Sequence, residues 1–246
     1  MIGGLIIRGI VVGIVAGVLA FGFARAFGEG PIEAAIGFEE ARSAATPEAA
    51  EPELFSRTVQ SGIGLLTGLV AIGAAIGGLF AIGFAFANGR MGLGTQATSA
   101  LLALFGLVSI YVVPAIKYPP NPPAASDPDT IKMRTALYFI MLAVSVGAAL
   151  VGWALRQRLV KQLGNWNGSL AAAGAYLVAI VAAMLLLPTL HELPEGFPAD
   201  TLWDFRLSSL GIQAVLWGSI GLIFGAVVER TLLPDTQPSR GPALSR

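Results

Sequence analysis

Charged residues are absent from six long stretches of the chain, and these stretches set its architecture. They lie between Arg8 and Arg25, between Arg57 and Arg90, between Arg90 and Lys117, and over 135–155, 162–190 and 207–228. About twenty consecutive apolar residues span a bilayer as a helix. In hydrocarbon a lone segment can satisfy its backbone only as a helix. The pattern therefore predicts six transmembrane helices at roughly 4–25, 60–87, 97–115, 135–155, 169–187 and 207–229. The links at about 88–96 and 156–168 are short. Those at about 26–56, 116–134 and 188–206 are long and rich in Pro and acids. The expectation is an all-α polytopic membrane protein of three hairpins, with the long loops on one side and both termini on the other. A single membrane domain covers 1–234, and a disordered tail follows at 235–246. Ala24-Arg25-Ala26 has the small residues of a signal-peptidase site, but no basic segment precedes the apolar run, so the first span is read as retained.

Composition agrees with this reading. The chain is 55% hydrophobic and 12% charged, with mean hydropathy +0.74; a soluble domain is about 25% charged. Net charge is zero, which gives no general attraction to nucleic acid. There is no cysteine and one histidine, His191. Disulfides, thiolate metal sites and Cys nucleophiles are excluded. So is any site needing two imidazoles from one copy. No Gly-rich loop ends in Gly-Lys-Ser/Thr, so the chain carries no P-loop for ATP. Non-enzymatic function is expected. Basic residues divide almost evenly between the two sides, and Lys and Arg are what orient a membrane protein. The orientation adopted here places both termini in the cytoplasm. Of the acids, only Glu229 and Asp235 fall on the terminus side.

Glycines recur every four positions at Gly9, Gly13 and Gly17, at Gly64 and Gly68, at Gly73 and Gly77, and at Gly221 and Gly225. That spacing lines them along one helix face, where backbones can touch. Internal packing is favoured over a dimer face. Trp153, Trp166, Trp203 and Tyr118 fall near span ends, where interfacial aromatics sit. Two helix ends read alike: Val113-Pro-Ala-Ile-Lys117 and Leu187-Pro-Thr-Leu-His191. Arg57, Arg134 and Arg206 each stand at the entry of the following helix. A guanidinium there can snorkel or pair with a carboxylate; the candidate partners are Glu29, Glu40, Asp129 and Asp204.

Helix interiors hold no acid or base, which argues against a self-contained proton-driven pump. Candidate chemistry therefore lies in the long loops. Glu33 and Glu40 are seven residues apart, so they share a helix face, and Glu29 precedes Pro31, which suits a first helical turn. A short helix at the membrane surface is expected there. Asp127 and Asp129 follow a Pro-rich turn. His191 and Glu192 join an imidazole to a carboxylate, a pair that suits a divalent transition ion. The metal-ligand candidates are Glu29, Glu33, Glu40, Asp127, Asp129, His191 and Glu192. A solvated acidic face is the competing reading of the first group.

A resemblance then emerges, carried by segments in order along almost the whole chain. They are Arg25-Ala-Phe-Gly-Glu29 with Ile36-Gly-Phe-Glu-Glu40; Gln60-Ser-Gly-Ile-Gly-Leu-Leu66; Gly77-Gly-Leu-Phe80 with Gly89-Arg90; Lys117-Tyr-Pro-Pro-Asn-Pro-Pro123 with Asp127-Pro-Asp-Thr-Ile131 and Arg134-Thr135; and Glu192-Leu-Pro194 with Phe197-Pro-Ala199, Leu202-Trp203, Phe205-Arg206, Ser209-Leu210 and Gln213. Together they resemble the CbtA-type probable cobalt transporter subunits. The resemblance implies a multi-pass subunit of a Co2+ uptake system in the cell membrane. It also implies a small single-span, His-containing CbtB-type partner. It assigns no metal ligand. No permanently bound cofactor is expected, and Co2+ is the expected substrate. A non-transporting membrane scaffold within a larger complex is the alternative. Carriage of a cobalamin precursor is a third reading.

Overall fold

The computed structural model describes residues 2–45, 55–123, 125–190 and 192–232. His191 and the tail 235–246 therefore lie outside the described residues. Five long apolar helices make up the fold: α1 (Ile2–Ala44), α2 (Arg57–Ala87), α3 (Thr95–Lys117), α4 (Ile131–Leu186) and α5 (Ala199–Thr231). Each is long and apolar enough to cross a membrane. No strand occurs among the described residues.

α4 is two helices joined at Gly164, whose φ of 77° and ψ of 168° break the helix. That backbone region is essentially open to glycine alone. The two arms lie side by side. Ser145 Oγ is 3.2 Å from Tyr176 Oη, and a side chain on Gly168 would overlap the backbone of Leu159 and Val160. Arg156 ties the turn by donating to Ser169 Oγ at 2.9 Å and to Asn165 Oδ1 at 2.8 Å. The link read from sequence at 156–168 is thus one residue. Its polar flanks continue as helix because helices extend past the hydrocarbon, which charge-free runs alone detect.

α1 also departs from expectation. No separate surface helix begins at Pro31; the helix runs on through a π-helical segment, Ala24–Gly28. Proline has no N–H, so a proline inside a helix leaves the carbonyl four residues back without its donor. For Pro31 that carbonyl belongs to Phe27, and Ser208 of α5 donates to it at 2.7 Å. The same device recurs in α3. Pro114 follows another π segment, Leu107–Val112. The freed carbonyl is that of Ile110, and Tyr138 Oη of α4 lies 3.4 Å from it.

α1, α2, α3 and α5 share one core, built on Val12, Ala16, Phe80, Phe84, Ala103, Leu216, Trp217, Ile220 and Phe224. Phe224 meets Phe80 and Phe84 edge-on. Along the α1–α2 seam, Gly9 faces Gly77, Gly13 faces Gly73, and Gly17 faces Leu69, so closely that any side chain would strike a carbonyl. Gly221 and Gly225 admit α3 at Ala103 and Ser99, where Ser99 Oγ donates to Gly221 O at 2.6 Å. Gly64 and Gly68 meet no neighbouring helix. A second, smaller core joins Val113 and Tyr118 at the end of α3 to Leu137, Met141 and Ile180 of α4. In the most apolar window of each helix, 39% of α5 is buried but only 11% of α4. α5 is therefore central, and α4 is the least covered by the rest of the described chain.

Candidate functional site

The polar interactions of the described chain concentrate where α3 ends and α4 and α5 begin. Proline sets the local path there. Tyr118 leaves the helix with φ −126° and ψ 77°, and the following Pro119-Pro120-Asn121-Pro122 run cannot return to it. Its carbonyls point instead at two arginines. Arg134 donates to Pro119 O at 2.7 Å and to Ser126 Oγ at 2.7 Å. Arg206 donates to Asn121 Oδ1 at 3.0 Å, and its Nε lies 3.4 Å from Pro120 O.

Glu192 supplies the carboxylate. Its side chain is 6% exposed and its Oε2 is 3.4 Å from Arg134 Nη1. Asn121 Nδ2 lies 3.4 Å from the same oxygen. Thr130 donates to Oε1 at 2.7 Å. Asp127 shapes the turn that brings Thr130 in, by accepting the Asp129 N–H at 2.9 Å. Tyr118 is buried and donates to Pro188 O at 2.8 Å. Burial raises its pKa above the usual phenol value. Lys117 Nζ reaches Thr189 Oγ1 at 3.0 Å. The result is a cavity of about 230 Å3, lined by Lys117, Tyr118, Asn121, Arg134, Glu192 and Arg206 among others.

A second ion pair closes the neighbouring helix entry. Arg57 Nη2 is 2.6 Å from Glu29 Oε2, and Arg25 is 3.7 Å from the same oxygen. Glu29 is 8% exposed. Of the three entry arginines, Arg57 has taken a carboxylate expected for it. Arg134 has Glu192 rather than Asp129. Arg206 has no carboxylate within ion-pair distance among the described residues and is held by neutral oxygens instead. Tyr118, read as an interfacial aromatic, is in the core; Trp166 and Trp203 are exposed, as interfacial residues should be.

The metal-ligand candidates are dispersed. Glu33 and Glu40 stand exposed on the C-terminal half of α1, and Asp127 and Asp129 are exposed on the turn before α4. Glu29 and Glu192 are each tied to an arginine. Among the described residues, no three of His, Cys, Asp and Glu gather as a metal-binding group. Lys117, Tyr118 and Asn121 were missed as site residues by sequence reasoning. The two similar helix ends held the signal, since Tyr118 and Lys117 meet Pro188 and Thr189 of the other end. The ends differ in geometry, however. Pro114 sits inside α3, whereas Pro188 follows a helix that stops at Leu187, with ψ 141°.

A family model described as probable cobalt transporter subunit (CbtA) matches residues 2–229. The chain belongs to the CbtA family. That family is one of transporter subunits, and the apolar helices fit a membrane protein. No match was found among curated proteins or among solved structures.

Proposed function

We propose that this chain is the membrane subunit of a Co2+ uptake system in the cytoplasmic membrane. Its membership of the CbtA family over 2–229 carries the reading. The two arms of α4 each cross the bilayer, giving six spans in three hairpins within one domain. Both termini are cytoplasmic and the long loops lie outside. A single-span, His-containing CbtB-type subunit supplies the imidazoles this chain lacks. Co2+ favours imidazole more than Mg2+ does, so the partner sets selectivity. Capture falls to carboxylates among Glu29, Glu33 and Glu40 at the C-terminal half of α1 and Asp127, Asp129 and Glu192 of the loops, with His191 beside the last. The exposed four make first contact; Glu29 and Glu192 hold the loops through their arginines. Passage follows a helix seam other than α1–α2, which is filled by backbone. The chain catalyses no reaction and moves its cargo unchanged.

Cobalt accumulation in cells with and without the chain tests this reading. The expected result is higher accumulation with it at limiting Co2+. Neutralising Glu33 with Glu40, or Asp127 with Asp129, should lower uptake at limiting Co2+ and less at high Co2+, because capture rather than passage is impaired. A second reading, a non-transporting scaffold, draws on the dispersed carboxylates and the filled α1–α2 seam. It requires that accumulation be the same with and without the chain; unchanged uptake at every concentration in both double variants would leave the acids as a solvated face.

A further inference from the structure

The cavity at the loop ends has the wrong charge for a bare cation. Three cationic side chains line it, Lys117, Arg134 and Arg206, against the single carboxylate of Glu192. Glu192 is already engaged by Thr130, Asn121 and Arg134. Arg134 and Arg206 line the same cavity and hold neighbouring carbonyls of one turn, Pro119 O and Pro120 O. Among the described residues the side-chain hydrogen bonds of Arg206 are to neutral oxygens, and they use Nε and Nη2. An arginine carries five N–H donors and a lysine three, so Nη1 of Arg206 and two protons of Lys117 remain to be given.

We propose that this cavity is an oxyanion site, which takes a phosphate or carboxylate group between Lys117, Arg134 and Arg206. The planar fork of arginine matches such groups, and the ammonium adds a point charge. At about 230 Å3 the cavity lies below the roughly 300–1,000 Å3 of drug-sized ligand pockets, so it suits a single small group. Its place at the helix ends puts it within reach of two sources of that chemistry, a phospholipid headgroup and a dissolved anion.

The test uses the full-length purified protein without metal, so its outcome is separate from that of cobalt uptake. In nanodiscs of neutral phosphatidylcholine, inorganic phosphate and citrate are titrated by calorimetry. In parallel, retention of phosphatidylglycerol is followed by native mass spectrometry. Binding in the first arm assigns a dissolved anion, and retention in the second assigns a lipid headgroup. In either arm Arg206→Gln should weaken binding by about ten- to a hundredfold, the size of a lost charge-assisted hydrogen bond. Lys117→Gln, at a half-buried side chain, should weaken it several-fold and guards against misfolding of the first variant. Arg90→Gln, at the opposite end of α2, should leave binding unchanged. No binding in either arm would overturn the proposal, as would equal losses in Arg90→Gln and Arg206→Gln.

Discussion

Arg134 and Arg206 stand at corresponding places, one at the entry of α4 and one at the entry of α5, and both grip the same proline-rich turn. Arg134 does so with three oxygens of different kinds: a carbonyl, a hydroxyl and a carboxylate. Lysine keeps the charge but cannot serve that fan of acceptors. Arg134→Lys is therefore expected to leave membrane abundance normal while lowering cobalt uptake on the order of tenfold. A merely snorkelling arginine would tolerate the change, so wild-type uptake at equal abundance would remove the positioning role. Glu192→Gln should be worse for folding. It leaves Arg134 without its carboxylate in a cavity that Lys117 and Arg206 also line, and a lost charged partner in a part-buried site costs about 1–3 kcal/mol. Thermal unfolding in detergent should show the loss, with Glu40→Gln as an unaffected exposed comparison. Sequence pattern picked out all three entry arginines, because a charge at the edge of an apolar run is conspicuous. It did not choose their partners. Those depend on how Pro119 to Pro122 turn the chain, and proline reports where a helix stops more reliably than where the chain goes next.

At the scale of elements, the glycine stripes separate what a sequence shows from what packing decides. Gly64 with Gly68 and Gly73 with Gly77 share one spacing and one helix, but only the second pair touches α1. Gly13→Val should clash with the carbonyl of Gly73 and cost several kcal/mol, lowering monodisperse yield in fluorescence-detected size exclusion. Gly68→Val, with open space around it, should change little. The positions of the apolar helices were legible because hydrocarbon excludes charge. Their full extents were not. Gly164 replaces the loop expected between the arms of α4, and Pro31 sits inside a helix, because Ser208 from a distant helix accommodates it. That compensation comes from 177 residues further along and has no local signature.

At the scale of the molecule, the chain without cysteine offers a direct check of the hairpin arrangement. Single cysteines at Asn88 and Asn165 should be labelled from one side of the membrane by an impermeant maleimide. Those at Asp129 and Glu195 should be labelled from the other. Labelling of Asn165 from the same side as Asp129 would rule out the double crossing of α4. One further consequence belongs to the Ala24–Gly28 segment. α1 has 43 residues, about 65 Å at 1.5 Å per residue, roughly twice the 30 Å of hydrocarbon. Its N-terminal half is clamped to α2 by glycine, and its C-terminal half touches the segment that leads into α5, where Phe38 meets Phe197 at 5.1 Å. The segment between closes i to i+5 hydrogen bonds, one residue more per turn than an α-helix. It therefore sets the phase of one half against the other, like a spacer in a drive shaft. Deleting a single residue there would let the turn close as ordinary α-helix and leave that phase nearly as it was, whereas deleting one from the α-helical stretch beyond it would turn everything that follows by about 100°, swinging Phe38 away from Phe197 and aiming Glu40 in a new direction while the glycine clamp stayed intact.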